Sequence, residues 1–401
     1  MPVVVDTARF LADLHELRQI GTYKTGVHRP TYSKEDMDSR RWLMTKMAEI
    51  GLEPEMDGIG NVIGRHPGPG PHLLVGSHIE TQNQAGWLDG ALGVVAALAL
   101  ARSGLPVDVA AYVDEEGHFD VGFLGSRSLI GDLTEADLDK ARNRTDGTPL
   151  RQALRAAGLS GEPRFRLDPT RYKGAYELHI EQGTQLEREG LRAGVVTGIV
   201  AIWQFAIRIV GQQDHAGGTT MAERKDAGLA AVRLLAAIDR EFPKVCGRRS
   251  TWTTGRITLS PGAPSIIPGE ANILFQFRDV EMAVLERMEE CLVRLVQESN
   301  RNERTEAFLE VIDKAIPAVC DPAMMTALEA AAREHAPDAW QFMPSGAGHD
   351  SQNLARIMPA AMLFTPSIGG ISHHWAEDTK EEDLALCCQI LATAAERFLA
   401  G

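Results

Sequence analysis

Five stretches of this chain carry imidazoles and carboxylates of the kind that bind metals, and the sequence keeps them far apart. They are Gly76-Ser77-His78-Ile79-Glu80, Trp87-Leu88-Asp89-Gly90, Asp114-Glu115-Glu116-Gly117, His179-Ile180-Glu181-Gln182-Gly183 and Ser372-His373-His374. His78 follows the apolar run Leu73-Leu74-Val75, Glu115 and Glu116 follow the β-branched run 107–114, and His179 closes the run 174–180. Each therefore sits where a strand ends, and the carboxyl edge of an open α/β sheet is where ligands collect. Asp89 precedes a long apolar helix over 90–103, and His373 lies just beyond a strand at 360–365. Only a fold that gathers all five on one rim gives them a common purpose. Gathered there, they suit two divalent cations sharing one bridge, a device that activates water and polarises a carbonyl or amide. The chemistry implied is hydrolysis.

At 401 residues the chain exceeds what one core supports, so two domains are expected. Helical periodicity runs over 8–19 and 34–50, the second with Ser33 as its cap and Asp36 three positions on. Short apolar runs at 61–65 and 72–76 then alternate with the helix and the runs already described. That alternation argues for an α/β sheet with buried, largely parallel strands. Beyond residue 201 the pattern changes: strands at 201–210, 251–259, 271–279 and 307–313 interleave with helices at 222–242 and 280–300. After Pro322 a helix at 323–335, the strand at 360–365 and a closing helix at 380–400 rejoin the first domain, because they bring His373 with them. The expected fold class is α/β in two domains. Residues 1–201 and 321–401 form the larger, metal-binding one, and residues 202–320 form a smaller inserted α+β domain of four strands and two helices. Hinges are expected near Ala201 and Pro322.

The net charge of −14 and the absence of a basic cluster argue against a nucleic-acid partner, since phosphate binding needs a basic face. The longest apolar run, 92–101, is about half of what a bilayer crossing requires, and the N-terminus lacks the basic start and apolar stretch of a signal peptide. No membrane association is expected. Cys246, Cys291, Cys320, Cys387 and Cys388 are odd in number and follow no zinc or disulfide spacing, which reads as reduced thiols in a cytoplasm. No cysteine lies in the five stretches, and Gly-x-Ser-x-Gly is missing, so thiol and serine nucleophiles are not expected.

The motifs quoted above, with Asp214-His215-Ala216-Gly217 and Ser345-Gly346-Ala347-Gly348-His349-Asp350, resemble those of the hydantoinase/carbamoylase-type metallohydrolases. That family includes N-carbamoyl-L-amino acid amidohydrolases, β-ureidopropionase and allantoate amidohydrolase, and is related to aminoacylase and the glutamate carboxypeptidases. The resemblance spans essentially the whole chain, and His-Ile-Glu-Gln-Gly separates this branch from the peptidases. It implies two divalent metal ions per subunit (Zn, Mn, Co or Ni) bridged by Asp89. One ion would be held also by His78 and His179, the other by Glu116 and His373. Glu115 would be the general base, taking the proton from the attacking water and returning it to the departing nitrogen. Glu80, where the family usually has aspartate, would accept the other ring N–H of His78 and fix its tautomer.

The resemblance also implies a homodimer in which His215 of the inserted domain, acting as a dimerisation domain and lid, reaches the neighbouring active site and supports an oxyanion. Gly218 and Thr220 stand where threonine and proline are more usual. Gln182 and His349 would meet the substrate, and Arg278 would clamp its carboxylate bidentately. Thirteen residues before that arginine the family commonly has asparagine; here Ser265 offers a shorter hydroxyl without the amide's paired donor and acceptor.

The activity expected is therefore hydrolysis of a linear C–N bond in a small N-carbamoyl or N-acyl amino acid, or a related ureido acid. Two alternatives use the same metals: an aminopeptidase or dipeptidase, and an amidase or deaminase acting on a carboxylate that is not an amino acid. The altered loop and Ser265 favour the latter. A silent metal-dependent binding protein is the third, and it has no need of Glu115.

Overall fold

The structure is a computed structural model, described over residues 2–401. The described residues group into two compact units, one running to Gly198 and resuming over Val319–Gly401, the other Ile199–Ala318.

The first unit is built on one mixed sheet. Its four central strands are Ala360–Thr365, Tyr172–Ile180, His72–His78 and Val107–Tyr112, neighbours in that order and all parallel. Towards one edge Val62–Arg65 and Glu53–Met56 continue antiparallel; towards the other Ala193–Ile199 pairs antiparallel with Ala360–Thr365. The largely parallel expectation thus holds for the centre and is corrected at the flanks. The central strands are buried along almost their whole length, as strands covered on both faces must be. The helix Ala91–Arg102 joins two of them, and its first ten residues are buried on every side, which explains an apolar run with little periodicity. The helix Lys34–Glu49 starts where the sequence places it: the Ser33 side chain accepts the Asp36 backbone N–H at 3.1 Å.

Parallel alignment sets the functional edge. His78 lies opposite Tyr112 and His179 opposite Phe364, so neighbouring strands end at nearly the same level. Loops leaving that level carry Asp89, Glu115, Glu116 and His373.

The second unit is a four-stranded antiparallel sheet, ordered Thr251–Ser260, Glu270–Asp279, Ala201–Val210 and Glu306–Lys314. One face packs on the helices Ala227–Glu241 and Met282–Asn302, through Trp203, Phe205, Ile207, Ile209, Phe275 and Phe277 set against Leu234, Ile238, Leu285, Met288 and Leu292. Strict alternation of buried and open residues along Ala201–Val210 and Glu270–Asp279 leaves the other face open to solvent. The first helix begins at Ala227 rather than at 222, because the Asp226 side chain caps it by accepting the Leu229 N–H. A separate ribbon pairs Asp214–His215 with Ile266–Ile267. Among the described residues no helix is long and apolar enough to cross a membrane, and all five cysteines are free thiols.

Candidate metal centre

The loop after His72–His78 turns back through Gly86 and Gly90 to present Asp89. Gly90 has φ of +67°, and a Cβ on it would stand 2.4 Å from the His78 ring, so no side chain fits there. A Cβ on Gly86 would collide with the Glu377 carboxylate at 1.9 Å. The two glycines are what let Asp89 approach both neighbours.

Asp89 is the centre of the cluster. Its Oδ1 lies 3.1 Å from His179 Nε2 and 3.5 Å from His78 Nε2; its Oδ2 lies 3.3 Å from His373 Nε2. His373 Nε2 is also 3.4 Å from Glu116 Oε2. Two donor triads result, His78–Asp89–His179 and Asp89–Glu116–His373, sharing the one carboxylate. Three residues here hold left-handed backbone, Asp114, Gln182 and His373 with φ of 54°, 55° and 54°. Strain of this kind in non-glycine residues gathers where geometry serves a site.

The donor set calls for a cation. The Nδ1–H groups of His78 and His179 are spent on the Glu80 and Ile180 carbonyls, each at 3.0 Å. Both rings thus aim a bare Nε2 at an Asp89 oxygen, and His179 Nε2 also accepts the Gly90 N–H at 3.3 Å. Two acceptors facing each other need positive charge between them, either a metal ion or, without one, a second proton on the ring. Burial would lower both imidazoles, but the neighbouring carboxylates outweigh it and raise His78 and His179 above the usual imidazole range. Two ligands at about 2.0–2.1 Å on a tetrahedral ion stand roughly 3.3 Å apart, which the separations here match. Charge balance agrees. Burial pushes Glu115 and Glu116 above the usual carboxylate range, and the crowding of neighbouring carboxylates adds to it. Burial first, then Asp89, pushes Glu377 up to about 8. Burial would raise Asp89 too, but hydrogen bonds from His179, His373 and His78 outweigh it and hold that carboxyl well below its ordinary value. His373 is pushed up to about 9, chiefly by its bond to Asp89. Imidazole and carboxylate are ligands for Zn, Mn, Co or Ni alike.

Glu115 belongs to neither triad, yet its Oε2 is 3.7 Å from His78 Nε2. Glu80 departs from expectation. Its backbone carbonyl, not its carboxylate, holds His78 Nδ1; the carboxylate stays 4.0 Å away, because Arg40 takes one oxygen at 2.8 Å and the Glu115 N–H takes the other at 2.7 Å. Gln182 donates from Nε2 to Asp89 Oδ2 at 2.9 Å. His349 is buried edge-on to His179, centroids 4.5 Å apart, with Ser345 Oγ 2.9 Å from its Nε2. Burial, then the His179 charge, drives it well below the usual imidazole range, so it is neutral. His374 accepts the Ala376 N–H and is not part of either triad.

In the second unit, His215 is exposed. Its Nδ1 accepts the Gly217 and Gly218 N–H groups at 3.0 and 3.1 Å, which leaves the proton on an outward Nε2. Ser265 is its neighbour: the Ser265 carbonyl accepts the Ala216 N–H at 3.0 Å, and His215 pairs with Ile266. Arg278 is half-buried, at the other end of its strand, opposite Ile202.

Sequence reasoning missed two residues that hold the cluster. Gln82 donates to Glu116 Oε2 at 2.9 Å from its side chain and to Oε1 at 3.2 Å from its backbone. Glu377 accepts the Leu88 and Asp89 N–H groups at 3.1 and 3.0 Å. The signal for Gln82 was its place four residues after His78; Glu377 lies too far from Asp89 in the chain to give one.

Known proteins share this arrangement of chain. The profile of Peptidase family M20/M25/M40 matches residues 76–397. The N-carbamoyl-L-amino acid amidohydrolase of Geobacillus stearothermophilus is 31% identical over 97% of each chain, and the allantoate amidohydrolase of Bacillus subtilis is 32% identical over 90% of each. A crystal structure of an amidase of the hydantoinase/carbamoylase family from Burkholderia phymatum aligns over 100% of this chain and 99% of its own, with 44% identity and a TM-score of 0.91. With the ligand-type cluster, the buried acids and these likenesses together, the chain belongs to peptidase family M20/M25/M40, a metal-dependent family, and within it to the amidohydrolases of the hydantoinase/carbamoylase type.

Proposed function

We propose that the protein hydrolyses the linear C–N bond of a small N-carbamoyl or N-acyl amino acid, or a related ureido acid, with Glu115 as general base. One observation carries this: Asp89 is shared by two triads, and Glu115 stands beside His78 without belonging to either. His78, Asp89 and His179 would hold one divalent ion, and Asp89, Glu116 and His373 a second. Bound there, such ions supply Lewis acidity that polarises a carbonyl and acidifies a water. Glu115 accepts the proton released as water attacks and delivers it to the departing nitrogen. Its burial favours that return, because a desolvated carboxylate holds a proton well.

His215 supplies a hydrogen bond to the oxyanion through its Nε2–H, the tautomer that its two backbone donors favour. Arg278 clamps the substrate carboxylate, and Gln182, Ser265 and His349 line the same substrate. Register supports a homodimer with a shared site. Ser265 and His215 lie beyond Glu270 at one end of the sheet, and Arg278 is eight residues along the strand, roughly 27 Å away. No small substrate spans that within one subunit, so if Arg278 and His215 meet the same substrate, one of them comes from a partner subunit, and we assign that part to His215. Residues 202–320 then act as the dimerisation and lid domain. The free cysteines support a reducing, cytoplasmic setting.

A second reading, an amidase or deaminase acting on a carboxylate that is not an amino acid, is favoured by Ser265, whose hydroxyl cannot bracket an amino-acid backbone as an amide does. A panel of carbamoyl, acyl, formyl and ureido acids and dipeptides, supplied with Mn or Zn and read by release of ammonia or free amine, separates these readings. Glu115→Gln should keep its metal and lose turnover by about 10³-fold or more. Near-normal turnover in that variant, with metal confirmed, overturns the base assignment.

A further inference from the structure

Of the charged residues on the buried side of the helix Lys34–Glu49, Asp36 and Arg40 are wholly out of reach of solvent. Arg40 meets three partners, two through hydrogen bonds and one through an ion pair. Nε lies 2.9 Å from Asp36 Oδ1, Nη1 donates to the Gly60 carbonyl at 2.9 Å, and Nη2 donates to Glu80 Oε2 at 2.8 Å. Asp36 is itself held, accepting the Tyr32 N–H at 2.8 Å. The remaining Glu80 oxygen, Oε1, accepts the Glu115 N–H at 2.7 Å. A line of direct bonds therefore runs from a helix through Arg40 and Glu80 to the peptide of Glu115. That peptide follows Asp114, whose left-handed backbone is kept in place by Thr31 Oγ1 and the His118 and Phe119 N–H groups, all donating to its carboxylate.

A buried ion pair is a poor source of stability, since desolvation of both partners offsets most of their attraction. Its benefit here is geometric. We infer that Arg40 and Glu80 are positioning residues for the general base: the guanidinium locks the Glu80 carboxylate, and the carboxylate locks the backbone from which the Glu115 side chain is aimed. Glutamate rather than aspartate at position 80 follows from this. The carboxylate must reach both Arg40 and the Glu115 N–H, while the His78 Nδ1–H is already satisfied by a carbonyl. Arginine rather than lysine at 40 follows as well, because acceptors on two separate Nη groups, with the Asp36 carboxylate beside Nε, suit a branched guanidinium and not a single ammonium.

The inference rests on Glu115 being the base, and the test keeps the two apart. Glu80→Asp and Arg40→Lys are made in the full-length, metal-loaded enzyme beside Glu115→Gln. Kinetics on the best substrate of the panel, metal content and thermal midpoint are measured for each. Glu80→Asp should lower kcat roughly 10- to 100-fold with KM within about twofold and metal content unchanged, the signature of a misplaced rather than missing base. Arg40→Lys should fall between that and the parent; if it does not fold, Glu80→Asp decides alone. Loss of metal in Glu80→Asp, with kcat restored by excess metal, overturns the inference and returns Glu80 to the service of His78. A lower thermal midpoint with kcat unchanged also overturns it, leaving the pair purely structural. Should Glu115→Gln stay active, the base reading itself fails; should it be inactive while Glu80→Asp is normal, only the positioning role fails.

Discussion

The two units present their chemical groups in opposite ways. In the larger one, His78, Asp89, His179 and Glu116 are buried, and each polar atom of the cluster meets another part of the same unit. In the inserted one, His215 and Ser265 are exposed and Arg278 is half-buried on the face away from the helices. Enclosure makes charge expensive, so the first cluster must be completed internally by a cation. Exposure leaves a donor with no such obligation, as at the outward Nε2–H of His215. On the proposed roles, the groups that react sit in one region and those that meet the substrate from outside sit in the other.

That contrast can be broken experimentally. The largest effect should come from His215→Ala, which is expected to lower kcat about 10²- to 10³-fold while leaving metal content untouched. Mixing unfolded His215→Ala with Glu115→Gln and refolding them together should restore about a quarter of parental activity, because half the dimers are mixed and each holds one intact composite site. No recovery would mean that His215 acts within its own subunit. Next in size is Gly90→Ala. The added methyl has to displace the His78 ring at a left-handed position, so metal affinity should drop about 10- to 100-fold and stability by about 1–3 kcal/mol. Full metal retention, by atomic emission, would show that the enclosed cluster is softer than described. The smallest effect should be Arg278→Lys, raising KM about tenfold with kcat nearly constant, since a fork is lost but a charge is kept. A fall in kcat at constant KM would move Arg278 from recognition to chemistry.

What the sequence reveals follows the same division. The cluster is legible because strand ends carry apolar runs before them and glycine or serine around them, as at Leu73-Leu74-Val75-Gly76-Ser77-His78. Long elements such as Ala91–Arg102, Ala201–Val210 and Met282–Asn302 are legible through length and period. Short ones are not. The helices Leu124–Ile130, Glu135–Lys140 and Leu150–Ala156 have two turns or fewer, too little for a periodic pattern to register. The strands Ala193–Ile199 and Trp340–Ser345 pair with one another off the main path, and glycine and proline within them mask the alternation. The supports of the site were hidden for a different reason. Arg40 with Glu80, and Glu377 with Asp89, are partners only through tertiary folding, and a buried arginine looks in sequence like any surface one. Glu80 shows the cost of reasoning by position alone: a carboxylate two residues from a histidine turned instead to an arginine forty residues earlier.

The imidazoles of the cluster are not equally sheltered: His78 and His179 are closed off, whereas the side chain of His373 is 51% exposed. If the ions are held as proposed, they should depart in order, the one on His373 first, since water can compete for that ligand and hardly for the others. A preparation stripped gently would then pass through a half-loaded, idle form that refills from free metal. How the enzyme is purified would decide whether it looks active, even with every residue in place.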